Sequence, residues 1–172
     1  MPHGTHDSLP DIRNESVLIY VNGTLTPRQD AKISVFDSGF LIGDGVWEGI
    51  RLHRGVLMFL DEHLDRLYQG AKAIALDIGM SRAELTEALY QTVRAKEMHS
   101  NVHVRLMVTR GIKKTPSQDP RLTFSPPIVV IIAEHKQVNP ETSHRGIKLF
   151  TSTVRRGSLS GRGLWQTPRI CE

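Results

Sequence analysis

The sequence predicts an α+β domain: a mostly antiparallel sheet with two helices packed on one face. Three observations predict it. Strand-like runs come first, two helical periods follow between Asp61 and Val93, and further strands come after them. Asn22-Gly23 sits between apolar runs, the strongest short signal for a tight hairpin. Val102 to Thr109 alternates apolar and polar residues without a break, as a half-buried strand does.

Ser16 to Val21 is rich in β-formers and supplies the first strand, and Lys32 to Phe36 a second short candidate closing at Asp37-Ser38-Gly39. Gly43-Asp44-Gly45 makes a turn into a strand over Val46 to His53, and Val56 to Leu60 returns beside it after Arg54-Gly55. Asp61 reads as a helix N-cap, with Leu64, Leu67, Ala71, Ile74 and Ala75 at helical spacing and a stop before Gly79. Ser81 with Glu84 three residues on is a capping box, followed by a stripe of Leu85, Ala88, Leu89, Thr92 and Val93. In the next strand Val102, Val104, Leu106 and Val108 point one way, and His103, Arg105, Met107 and Thr109 the other. Gly111 to Pro120 is a polar loop, and the continuous apolar run Ile128 to Ala133 predicts a strand covered on both faces. A linker over 137–146 then separates a small domain, 1–136, from a first strand of a second domain over 147–156. The tail 157–172 is irregular, with scattered glycines and no period.

Bulk properties narrow the function. With 22 Lys plus Arg against 18 Asp plus Glu, the formal charge is +4, spread without runs. Nucleic-acid binding wants a clustered basic stripe, so no nucleic-acid partner is expected. No segment approaches a membrane span of ~20 apolar residues and the first fourteen residues lack a signal-peptide run, so the expectation is a cytoplasmic protein. The single cysteine, Cys171, rules out a disulfide framework within the chain. His99, His135 and His144 stand at no ligand spacing, and no metal site is expected. Arg110, Lys113 and Lys114 read as a solvated basic loop.

Strand alternation places Trp47, Gly49 and Arg51 on one face: an aromatic wall, a gap and a cation. On residues alone, a core-facing Trp beside a surface arginine is the simpler reading. Arg66 lies off the apolar stripe of the first helix, where an arginine is ordinarily just solvated.

A denser pattern changes that weighting. Asp37-Ser38-Gly39 leads to Gly43-Asp44-Gly45-Val46-Trp47-Glu48-Gly49-Ile50-Arg51, and Phe59 to Leu67 reads FLDEHLDRL. These two linked motifs resemble the class IV (fold-type IV), pyridoxal-phosphate-dependent aminotransferases, over roughly Val17 to Arg156. The resemblance implies the small N-terminal domain of that fold and pyridoxal 5'-phosphate as cofactor. It implies Arg66 on the cofactor phosphate, where a guanidinium pairs bidentately. It makes Trp47, Gly49 and Arg105 substrate-binding residues for an amino acid or 2-oxo acid. It also implies that the chain stops short of the Schiff-base lysine, which the family carries in its second domain. None of the lysines at 32, 72, 96, 113, 114, 136 and 148 has that context, so no catalytic residue is assigned and the chain alone is expected to be inactive.

The wording is nearest to the branched-chain enzymes, although Ile42 and His103 stand where some of those carry tyrosines. Aminodeoxychorismate lyase, of the same family, is an alternative, as is a catalytically silent interaction fragment. The family also implies a homodimer for the full-length form.

Overall fold

The computed structural model of the protein describes residues 10–137 and, beyond them, only positions 144, 146, 149–151 and 153. The linker expected over 137–146 and the strand over 147–156 lie, apart from these positions, outside the described residues, as does the tail. The fold is that of the unit Pro10–Gln137.

A single turn of 3-10 helix, Ile12–Ser16, leads into strand β1 (Leu18–Val21), so the first strand starts two residues later than expected. Asn22 and Gly23, both at positive φ, then close a two-residue hairpin with Val21 opposite Thr24 of β2 (Thr24–Pro27).

No strand forms over Lys32–Phe36, and this expectation is corrected. Its β-branched residues do not pair; the segment crosses the sheet instead. Ser34 turns the chain locally, its side chain accepting from Phe36 N and its carbonyl from Asp37 N. Asp37 does not close a strand either, but caps a short helix α1 (Ser38–Ile42) by accepting from the amides of Gly39 and Phe40.

Strand β3 (Gly45–His53) is the longest, and β4 (Val56–Leu57) returns against only its last two residues. Helix α2 (Leu60–Ala73) starts at a Phe59 cap with no side-chain bond, so Asp61 is not the cap. Asp61 and Glu62 occupy the first turn, where carboxylates favour the positive end of the helix dipole equally well. Helix α3 (Arg82–Arg94) has the full capping box between Ser81 and Glu84, and Leu85, Ala88, Leu89, Thr92 and Val93 are all buried. Strands β5 (Val102–Thr109) and β6 (Ile128–His135) complete an antiparallel sheet in the order β2-β1-β6-β5-β3-β4.

α2 packs over β3, while α3 packs over β6 and β1. The core lies between them and the sheet, made of Ile50, Leu52, Val104, Leu106, Ile131 and Ala133 with the inner faces of both helices. β6 alternates rather than being sealed on both faces. Val129, Ile131 and Ala133 are buried under the helices, while Val130 and Ile132 line an apolar cleft of about 340 Å³ beneath the 28–37 segment.

Candidate functional site

Within the GDG stretch, Gly45 is required by the packing of the sheet itself. A Cβ on Gly45 would stand 2.5 Å from the Val108 carbonyl oxygen, so the space its glycine leaves is filled by the neighbouring strand. Asp44 receives Arg110 Nε and Nη2 at 2.7 and 3.0 Å, and the same guanidinium donates to the carbonyls of Ile74 and Ala75 just past α2. Arg110 is therefore no part of a solvated basic cluster. It ties the turn before β3 to the end of α2. Lys113 is likewise buried, with Nζ donating to the Asp119 carbonyl.

Beyond Gly45, strand parity divides the chemistry. Trp47, Gly49 and Arg51 occupy the face away from the helices, where register sets Gly49 opposite Arg105 and Arg51 opposite His103. The Arg105 guanidinium carbon lies 4.1 Å from the Trp47 ring centre, within cation–π range. A Cβ at Gly49 would come within 2.9 Å of His103 Nε2, so the glycine is what lets the imidazole lie across the strand. Burial, and then the charges of Arg105, Lys136 and Arg51, push the His103 pKa down. The result is an indole, a stacked guanidinium and an uncharged imidazole around a bare stretch of backbone. Three of the four expected site residues, Trp47, Gly49 and Arg105, are thus brought together.

Arg66 is not with them. It stands on α2, against the opposite face of β3, and its partner is Glu48. Arg66 Nε and Nη2 donate to Glu48 Oε1 and Oε2, both at 2.6 Å, and His63 Nδ1 lies 2.7 Å from Oε2. Glu48 is 3% exposed, whereas the Arg66 side chain is 71% exposed. Burial works to raise the Glu48 pKa, but the hydrogen bonds from Arg66 and His63 outweigh it and hold the carboxyl below its ordinary range. Glu48 raises the Arg66 pKa in return.

The two faces meet at an edge. Because β4 pairs only with Leu52 and His53, β3 has, among the described residues, no neighbouring strand from Gly45 to Arg51 on its outer side. Arg66 lies on the helix side of β3, and Trp47, Gly49 and Arg105 lie on the other face of the sheet. Sequence reading missed Glu48 and His63. A signal existed for both: Glu48 has the parity of Ile50 and Leu52 and is the one charge among them, and His63 stands three residues before Arg66 on one helical face. Among the described residues no group of His, Cys, Asp or Glu could hold a metal ion, and no helix is long and apolar enough to cross a membrane.

The family pattern described as amino-transferase class IV matches residues 45–161, which takes in β3, both long helices, β5 and β6. The chain belongs to the class IV aminotransferases. Branched-chain-amino-acid aminotransferase-like protein 1 of Arabidopsis thaliana is 41% identical over 151 residues, 88% of this chain and 27% of that protein. Aminodeoxychorismate lyase of Bacillus subtilis is 38% identical over 96 residues, 55% of this chain and 33% of the lyase. Among solved structures, a T.th. branched-chain amino acid aminotransferase, complexed with N-(5'-phosphopyridoxyl)-L-glutamate, superposes with a TM-score of 0.61 at 30% identity. That match covers 69% of this chain and 40% of the enzyme. This class IV chain therefore spans well under half the length of these relatives.

Proposed function

We propose that the chain forms one wall of the active site of a pyridoxal-phosphate-dependent transaminase, branched-chain-like, that exchanges an amino group between an amino acid and a 2-oxo acid. The observation that supports this reading is the edge of β3, unpaired among the described residues, with an exposed arginine on one side and an indole–guanidinium pair on the other.

The residues present fit the cofactor's phosphate. Arg66 keeps Nη1 free of any partner among the described residues, on a side chain that is mostly exposed and held from behind. When bound, pyridoxal phosphate supplies the electron sink that labilises bonds at the substrate α-carbon. This chain's part is to bind and orient. Arg66 takes the phosphate, Trp47 and Gly49 shape the space for the substrate, and Arg105, held over the indole, takes a carboxylate. The lysine that holds the cofactor and moves the proton is, in this reading, none of the seven lysines here, and the chain by itself is catalytically silent. Lys113, the buried lysine, is engaged with a backbone carbonyl.

The full-length enzyme is, on the same reading, a cytoplasmic homodimer; the exposed Phe36, Phe40 and Phe124 support an apolar partner surface. A second reading, lyase chemistry on the same scaffold, draws support from the Bacillus subtilis relative.

The test is direct. Pyridoxal phosphate is titrated into the wild-type and Arg66→Ala chains, and the full-length enzyme is assayed with branched-chain amino acids and 2-oxoglutarate and, separately, with 4-amino-4-deoxychorismate. We expect Arg66→Ala to weaken binding at least about tenfold. The full-length enzyme should yield a new amino acid and no pyruvate. Unchanged affinity in Arg66→Ala overturns the phosphate role, pyruvate release favours the lyase, and a borohydride-stable adduct on any of the seven lysines overturns the inactivity of the chain.

A further inference from the structure

Glu48 occupies a costly position. It lies on the helix-covered face of β3, in line with Ile50 and Leu52 and opposite Leu106, all three fully buried. An apolar side chain is the cheaper choice there, since burying a charge costs heavily unless its partners satisfy it. An arginine as exposed as Arg66 needs no such partner for its own sake.

The geometry shows what the carboxylate does to the guanidinium. Arg66 uses Nε and Nη2 toward Glu48. A planar guanidinium has five N–H donors, so spending one side in this way leaves Nη1 and the second Nη2 hydrogen as an outward fork. That fork matches two oxygens of a tetrahedral anion. His63 acts one step behind. An ionised Glu48 has no proton to give, so His63 Nδ1 carries the hydrogen of the 2.7 Å contact. With its hydrogen committed there, Nδ1 accepts nothing from Arg66 Nη2, 3.4 Å away. His63 therefore holds Glu48, and Glu48 holds Arg66.

We infer that Glu48, itself fixed by His63, is a positioning residue that locks Arg66 with its outer fork set for the phosphate of the cofactor. This rests on the proposed phosphate role of Arg66. It adds that affinity depends on a buried carboxylate that touches no ligand. A guanidinium already fixed in its binding geometry has less freedom to lose when the anion arrives.

The experiment follows the Arg66 side-chain and the backbone amide NMR signals of the chain while inorganic phosphate, and separately pyridoxal phosphate, is added, the amides giving the affinity of every variant. Wild type is compared with Glu48→Gln, His63→Gln and Arg66→Ala. In the wild type the Arg66 Nε hydrogen should exchange slowly and shift with either anion. Glu48→Gln should speed that exchange and weaken both anions about tenfold, and His63→Gln should give a smaller loss in the same direction. Absence of any Arg66 shift in the wild type, or Arg66→Ala binding as wild type, sinks the phosphate reading and this inference together. Weakened binding in Arg66→Ala with full affinity in a folded Glu48→Gln sinks the positioning role alone. Should Glu48→Gln fail to fold, His63→Gln decides: unchanged Nε exchange and affinity there overturn the inference.

Discussion

Arg105 lies over Trp47, its guanidinium carbon 4.1 Å from the ring centre, although the two side chains come from different strands, β5 and β3. Trp47 is 62% exposed, so the contact contributes little to the core. Its consequence is orientation: a guanidinium resting on an indole presents its edge, not its face, to whatever enters.

Trp47→Ala should therefore cost only about 0.5–1 kcal/mol of stability, the range for an exposed cation–π pair. If the proposed transaminase reading holds, the same change in the full-length enzyme should raise KM for the 2-oxo acid several-fold, because Arg105 loses its rest. Arg105→Lys keeps the charge but not the planar stacking and should show the same KM defect. Urea melts and steady-state kinetics check both halves. A large stability loss with normal KM in Trp47→Ala contradicts the assignment.

The two glycines of β3 should respond differently to alanine. At Gly45 the new methyl meets the Val108 carbonyl at 2.5 Å, and a paired strand's backbone cannot step aside. The expected loss is about 2 kcal/mol, within the range for overpacking. At Gly49 the obstacle is the tip of the His103 ring, which can swing away. Gly49→Ala should cost less than about 1 kcal/mol in chemical denaturation while shifting the His103 NMR signals. Equal destabilisation of the two variants counts against this account.

Much of the fold was legible because local rules and tertiary packing agreed. The Asn22-Gly23 turn, the Ser81–Glu84 capping box and the alternation of Val102–Thr109 each have one satisfactory structure. Lys32–Phe36 misled because β-branched residues serve equally well lying across a sheet as pairing within one, and periodicity does not distinguish the two. The site was half legible. Parity grouped Trp47 and Gly49 with Arg51, and Arg105 with His103, and only the family resemblance joined Arg105 to the first pair; the link from Glu48 to Arg66 spans 18 residues and two element types, and no local rule reaches that far. The meaning of Gly45 and Arg110 was hidden for the same reason, since their partners are Val108, Asp44 and the carbonyls past α2.

Arg110 is the joint between those parts. Arg110→Ala leaves Asp44, 15% exposed, without its cation and two carbonyls past α2 without their donor. Losing one partner of a fully buried pair costs about 3–5 kcal/mol. Both side chains here keep some water contact, so about 2 kcal/mol is expected, read as a lowered urea midpoint. Because α2 carries Arg66, phosphate affinity should fall as well. The double change Asp44→Asn with Arg110→Ala should cost less than the sum of the singles.

Acidification should loosen the fold before any carboxylate is involved. The His103 pKa is pushed below its ordinary 6.5 by burial and then by Arg105, Lys136 and Arg51. The His135 pKa is also lowered, by burial and then by Arg13. For a histidine with a depressed folded pKa, the unfolded chain binds the proton first. The stabilisation is therefore complete above about pH 6.5 and declines as pH falls from there through the folded values. Glu48, also depressed, loses its contribution only below its ordinary 4.5, so the interval between isolates the histidines. Urea midpoints measured at about pH 7.5 and about pH 5.5 should drop in the wild type. The drop should be smaller in His103→Gln, with His135 accounting for part of what remains. A wild-type midpoint that rises on acidification, or an undiminished drop in His103→Gln, shows that His103 is not the uncharged imidazole beside Gly49 from which the pocket wall is built.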